Sequence, residues 1–289
     1  MLKEIIINGL INGSIYALLA IGFSLIFGVA RIINIAHTGF YMLSAYFIYT
    51  SLHYLGMLPL IAIFLSIIIT TLIGLGCYRV LIDPLREHEA AVLIATIALA
   101  IIFQEVILLF FGANYLAIPP LVPGYTKIVG IKVTYQHLVA IAVALLVLGG
   151  TWLLLMKTKV GLAIRTTAQD REVANLLGMN VTKVAMVTMA ISVILAATAG
   201  VIVAPLFVLD PQMWMHPLVI ILGVVVMGGM GSIKGSFFGA YILALAEAAV
   251  VFLIPMGSFL KGSVALSIMI LVLCIRPEGL FGVVFEEER

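Results

Sequence analysis

Apolar positions in this chain run together in long stretches, and the charges are confined to the gaps between them. Stretches 5–30, 133–156 and 184–209 each reach the roughly 20 apolar residues that a helix needs to cross a bilayer. Followed along its length, the pattern gives spans at 5–29, 40–54, 58–82, 91–111, 136–156, 184–209, 217–230, 239–253 and 263–275. The last three are short and broken by glycine. The expectation is an all-α polytopic membrane protein with eight to nine transmembrane segments, including broken or re-entrant Gly-rich helices, in a single transmembrane domain over 1–289. The first apolar run is too long, and too directly followed by further spans, to read as a cleaved signal peptide.

Three breaks in the pattern carry candidate chemistry. In the first, 33–39, Asn34, His37 and Gly39 stand between two apolar runs. Polar groups at membrane depth are costly unless satisfied, so this is either part of a translocation path or a turn with Asn34 as a helix cap. In the second, 223–240, Gly228, Gly229 and Gly231 permit either an unwound backbone lining a path or close helix packing. This is not a phosphate loop, because Lys234-Gly235-Ser236 has the wrong order. Gln104 and Glu105 in the fourth span and Glu247 in the eighth are the remaining polar groups inside apolar runs.

The third break, 157–183, is charged and holds five of the 15 Lys and Arg residues. Lys/Arg-rich short loops stay in the cytoplasm, which puts this loop inside, the Arg79 and Arg86 loop inside, the acidic tail 286–289 inside and 112–135 outside. The loop contains the makings of a short helix. Thr167 and Asp170 have capping-box spacing, Gly178 is placed as a left-handed stop, and Val173, Leu176 and Leu177 share one face. A helix of about ten residues is marginal alone in water, so this one needs something to dock on.

Composition narrows the function. Hydrophobic residues make up 64% and charged residues 10% of the 289, which excludes an ordinary soluble domain. Net charge is only +2 and there is no basic tract, so no nucleic-acid partner is expected. Cys77 and Cys274 sit in apolar runs, and the five His residues are scattered, so neither a disulfide nor a metal site is expected. No zinc-helix or nucleophile-elbow motif is present, which argues against an intramembrane enzyme built on His37. An ion-coupled transporter relaying protons through Glu105 and Glu247 stays open on the residues alone.

Four segments in order, NGSIYALLAIGFSLIFGVARIINIAHTGFYML, AIRTTAQDREVANLLGMN, GGMGSIKGSFFGA and RPEGLFG, resemble the LivH/LivM permeases of branched-chain amino-acid ABC importers. The similarity runs over essentially the whole chain. The family's first motif usually reads Asn-Phe-Ala-His-Gly, whereas here Ile35 replaces Phe and Thr38 precedes Gly39. The run 172–178 is similar to the E-A-A-x-x-x-G loop by which importer permeases dock on their ATPases, with Val173 in place of the first Ala.

The resemblance implies an ABC-importer permease fold in the cytoplasmic (inner) membrane, multi-pass in the lipid bilayer. It gives 157–183 the role of a coupling loop, with Thr167, Asp170, Arg171, Glu172, Val173, Ala174, Leu176, Leu177 and Gly178 contacting an ATPase. The implied partners are a second, LivM-like permease, two cytosolic ATPases and an extracytoplasmic amino-acid-binding protein. This chain would be no enzyme and hold no cofactor, with ATP and Mg on the ATPases. The implied cargo is a branched-chain amino acid, with urea, amides or aromatic acids as alternatives on the same scaffold.

Overall fold

The computed structural model describes residues 1–128 and 130–281, so the acidic tail 286–289 lies outside the described residues. The first half comprises α1 (Leu2–Ala30), α2 (His37–His53), α3 (Pro59–Cys77), α4 (Asp83–Leu85) and α5 (Glu89–Phe111). A hairpin, β1 (Tyr125–Ile128) and β2 (Ile131–Thr134), leads into α6 (Tyr135–Lys157), α7 (Lys159–Gln169) and α8 (Arg171–Leu176). The remainder is α9 (Val181–Val203), α10 (Met215–Gly228), α11 (Ile233–Leu253) and α12 (Lys261–Ile275). A π turn, Tyr78–Ile82, joins α3 to α4 just ahead of Pro84, whose missing N–H interrupts the helical ladder.

Among the described residues, seven helices are long and apolar enough to cross a membrane: α1, α3 extended to Leu85, α5, α6, α9, α11 and 257–275. The chain is therefore a multi-pass membrane protein. Two further helices that fall on expected spans are shorter, α2 with 17 residues and the apolar α10 with 14. The eight to nine spans expected from hydropathy thus fall on seven full-length helices and two short ones.

Helix α1 is the centre of the bundle, and its glycines mark its closest contacts with neighbouring helices. Gly9 and Gly13 lie against Leu245 and Tyr241 of α11, and Gly28 lies against Gly231 ahead of it, so α1 and α11 run antiparallel. Ser14 Oγ and Tyr241 Oη are 3.0 Å apart across that seam. Helix α9 packs on α1, α2 and α3: Gly22 faces the Ser192 carbonyl, Gly74 faces Val193, and Gly200 has Ser44 and the Tyr41 carbonyl directly above it. Such small-residue contacts let helix backbones approach closely, the main source of cohesion where lipid is as apolar as the helices.

The antiparallel course of α1 and α11 defines two ends of the bundle. One end carries α7, α8 and the α10–α11 turn. The opposite end carries the β hairpin, paired Tyr125 to Thr134 and Ile128 to Ile131, and a bridge between Leu116 and Leu209 that ties the long 112–124 connection to the end of α9.

Candidate functional site

The surface formed by α7 and α8 is built outward from the end of α6. Thr158 Oγ1 accepts from Gly161 N–H (3.0 Å) and caps α7, while Gly161 sits so tightly on the last turn of α6 that a Cβ there would overlap the Leu154 and Leu155 carbonyls. Helix α7 buries Gly161, Ile164 and Thr167 and packs against α1 and α9. The sequence placed the helix start at Thr167. The structure corrects this: Thr167 is buried in α7, and Asp170, in extended conformation, breaks the chain and caps α8 by accepting from Val173 N–H at 2.9 Å. Its short carboxylate reaches the orphan donor that Thr167, turned inward, cannot reach.

The far end of α8 closes as the glycine pattern suggested. Gly178 has φ +81°, its N–H donates to the Asn175 carbonyl, and Met179 N–H donates to the Ala174 carbonyl, both at 3.0 Å. This is a Schellman stop. Ala174 is fully buried beneath the helix, whereas Val173, Leu176 and Leu177 stand 46%, 86% and 68% exposed. A groove of about 690 Å³ borders them, lined by Arg86, Arg171, Glu172, Asn175 and Asn180 among others. Arg86 comes from the neighbouring loop and is held by Nη1 donating to Asp83 Oδ1 (3.0 Å) and Thr182 Oγ1 (2.9 Å). Apolar knobs thus stand beside a charged groove, on a mount fixed at both ends.

The residues expected along a translocation path, Asn34, His37, Gly39, Gln104, Gly228, Gly229 and Gly231, fall into three separate places. After α1 the backbone turns at Arg31 (φ +56°) and re-enters the protein, and α2 starts at the level of the middle of α1. There His37 Nε2 donates to the Leu19 carbonyl (3.0 Å), which leaves Nδ1 to accept from Ser192 Oγ (3.3 Å). Asn34 is fully buried, its Nδ2 3.8 Å from Met189 Sδ, and Ile35 N–H donates to Thr96 Oγ1 (3.2 Å). Gly39 lets α2 cross α5 against Phe103 and Ala100. From Asn34 to Gly39 this broken backbone is buried in protein, the condition for irregular chain at membrane depth.

Gly228, Gly229 and Gly231 lie instead at the α7–α8 end. Gly228 abuts Gly235, Gly231 abuts Gly28, and Gly279 packs on Gly229. The terminal segment adds two bonds there, Leu280 N–H to the Met227 carbonyl (2.8 Å) and Phe281 N–H to the Gly228 carbonyl (3.1 Å), which satisfy the open end of α10. Gln104 is elsewhere again: its Oε1 accepts from Trp214 Nε1 (2.9 Å) and its Nε2 donates to Glu105 (3.4 Å).

One arrangement escaped the sequence reading. At the end opposite α8, a cavity of about 320 Å³ is lined by α1, α2, the end of α9, the start of α10 and the start of α12. Beside it Tyr16 Oη donates to Glu247 Oε2 (2.9 Å). Only Glu247 was legible as a polar residue in an apolar run. Tyr16, His216 and Lys261 come from three helices distant in sequence, and no local pattern joins them.

Comparison with known proteins decides the family. Residues 5–273 match the family model described as the branched-chain amino acid transport system permease component. The chain belongs to this permease family. Among its relatives, the high-affinity branched-chain amino acid transport permease BraD of Pseudomonas aeruginosa is 33% identical over 96% of this chain and 94% of that one. LivH of Escherichia coli is 30% identical over 95% and 94%, and a probable LivH permease of Methanocaldococcus jannaschii is 28% identical over 97% and 93%. The permease fold is also similar to that of a chain in the PsaBC–Fab complex from Streptococcus pneumoniae, with TM-score 0.55 and 12% identity over 95% of this chain and 92% of that one.

Proposed function

We propose that this chain is the membrane-spanning subunit of an ATP-driven importer in the cytoplasmic membrane, carrying branched-chain amino acids inward together with a second, related permease. Family membership supports the class, and the branched-chain amino acid transport by BraD and LivH supports the cargo. The observation that carries the mechanism is the exposed Val173, Leu176 and Leu177 knob over buried Ala174. Two cytosolic ATPases, which would bind the ATP and Mg, are its partners, and an external binding protein delivers substrate at the hairpin end.

The route of force follows from packing. A push on α8 passes through the Asp170 junction to α7, which is locked to α6 at Gly161 and packed on α1 and α9. Those helices hold the Asn34–Gly39 break. An ATPase shifts the bundle between two states only by binding them unequally, and a stiff mount is what lets a contact at Leu176 discriminate between them. Glu247 and Glu105 belong to separate hydrogen-bonded groups, one with Tyr16 and one with Gln104, which favours gating by a partner over a proton relay.

The test is co-expression with the second permease, both ATPases and the binding protein, followed by uptake of labelled leucine into vesicles. ATP-dependent uptake is expected, and Leu176→Asp should abolish it while the two permeases still co-purify. Undiminished uptake in that variant, or uptake without any ATPase, overturns the assignment.

A further inference from the structure

The cavity opposite α8 is amphipathic. Ile15 and Leu19 of α1, Val203 and Phe207 at the end of α9, and Met213 supply apolar wall, while Lys261, Ser258 and His216 supply polar wall. Its volume of about 320 Å³ falls at the small end of ligand sites, which suits a small metabolite. The charges converge at one corner. Glu247 is buried to 1% exposure, yet only one of its oxygens is satisfied, by Tyr16. The other, Oε1, has no hydrogen-bond partner among the described residues, and His216 Nε2 stands 3.9 Å from it, beyond hydrogen-bond reach. The Lys261 ammonium acts electrostatically on both Glu247 and His216.

A buried carboxylate oxygen without a donor is costly, and such groups are rare unless something comes to meet them. Here the Lys261 ammonium, together with Tyr16 and His216 backed by the Glu247 carboxylate, lines a space whose other wall is aliphatic and aromatic. The complementary molecule carries an ammonium, a carboxylate and a compact apolar side chain. We propose that this cavity is a subsite for a zwitterionic α-amino acid entering the permease: its carboxylate faces Lys261, its ammonium faces the corner formed by Tyr16 and His216, behind which the Glu247 carboxylate lies, and its aliphatic side chain lies on Ile15, Leu19, Val203 and Phe207. This rests on the importer reading and goes beyond it by giving the permease its own recognition of the amino-acid head group. The apolar wall explains tolerance among aliphatic side chains, since one methylene more or less changes binding only modestly.

The test uses the assembled membrane complex, purified without its external binding protein, with labelled leucine, isocaproate (no ammonium) and isoamylamine (no carboxylate) as probes. Saturable leucine binding is expected, with each analogue weaker by about tenfold, as for loss of one charge-assisted contact. Lys261→Met should lower leucine to the level of isoamylamine while sparing isoamylamine, and Glu247→Gln should lower leucine to the level of isocaproate while sparing isocaproate. Such a crossed pattern does not arise from general loosening of the bundle. Equal losses for all three probes, or no saturable binding, overturn the subsite. If a charge variant fails to assemble, Ser258→Cys in a background lacking Cys77 and Cys274 reads the same space, because leucine should slow its modification by a charged thiol reagent and the analogues, at the same concentration, should slow it far less. Unslowed modification overturns the subsite too. The importer reading falls separately, on absence of ATP-dependent uptake by the complete transporter.

Discussion

Gly228 and Gly235 meet backbone to backbone, with no room for a single methyl group between them: a Cβ on either would overlap the other's main chain. They join the end of α10 to the start of α11, and Ser232 Oγ caps α11 by accepting from Gly235 N–H at 3.1 Å. The turn between the two helices is therefore a rigid corner.

Gly235→Ala should then be poorly tolerated, whereas Gly149→Ala, with nothing within 4 Å of its added carbon, should be neutral. Overpacking of this kind costs about 1 to 3 kcal/mol. Thermal unfolding in detergent, followed by the monodisperse fraction on gel filtration, reads the difference. Equal melting temperatures would show that the corner yields.

At Gly178 the constraint is conformational and not steric, since φ is +81° and the space around it is open. Gly178→Val should disturb the stop of α8 and reduce ATPase retention, whereas Gly178→Asn, a residue that adopts the left-handed region, should keep most of it. A tenfold loss of affinity corresponds to about 1.4 kcal/mol. Co-purified ATPase per permease, titrated in parallel for both variants, gives the ordering, and Asn as damaging as Val would contradict it.

The N-terminal cap of α8 separates Asp170 from Thr167. Removing such a cap costs about 0.5 to 2 kcal/mol, so Asp170→Ala should raise amide exchange across 171–178 and Asp170→Asn should largely restore protection. Thr167→Ser should leave that exchange unchanged, because Thr167 belongs to the preceding helix. Fraying of 171–178 in Thr167→Ser alone would return the cap to Thr167.

Sidedness has a direct measurement. In a background lacking Cys77 and Cys274, Lys127→Cys on the hairpin should react with an impermeant thiol reagent in intact cells, and Lys157→Cys at the end of α6 should react only after permeabilisation. The reverse pattern would invert the orientation and place the α8 knob outside.

The long spans and the Gly178 stop were legible because both depend on neighbours in sequence: hydropathy sums over a window, and a left-handed stop needs one permissive residue. Helix α7 was missed because its apolar positions, Gly161, Ile164 and Thr167, include a glycine and a threonine that a hydrophobic pattern does not count. The sequence could say that 223–240 was special but not whether it lined a path or packed closely, since Gly28, Gly235 and Gly279, which decide the contacts, are far apart or uninformative by themselves. His37 stood out in its apolar setting, yet its partners, Leu19 and Ser192, become neighbours only when α1 and α9 flank α2.

The central place of α1 has a consequence for biogenesis. It is translated before α9 and α11, the helices that later enclose it, and 89% of its apolar window ends up covered by protein. Until α11 arrives, its seam of Gly9, Gly13 and Ser14 lacks the Leu245 and Tyr241 side chains that finally cover it. The most deeply embedded element is thus the one that waits longest for its native surroundings, and the bundle closes by contacts between distant parts of the chain, which are slow to form. A ribosome stalled before α11 would hold out a helix whose small, polar seam is uncovered, a natural handle for membrane quality control.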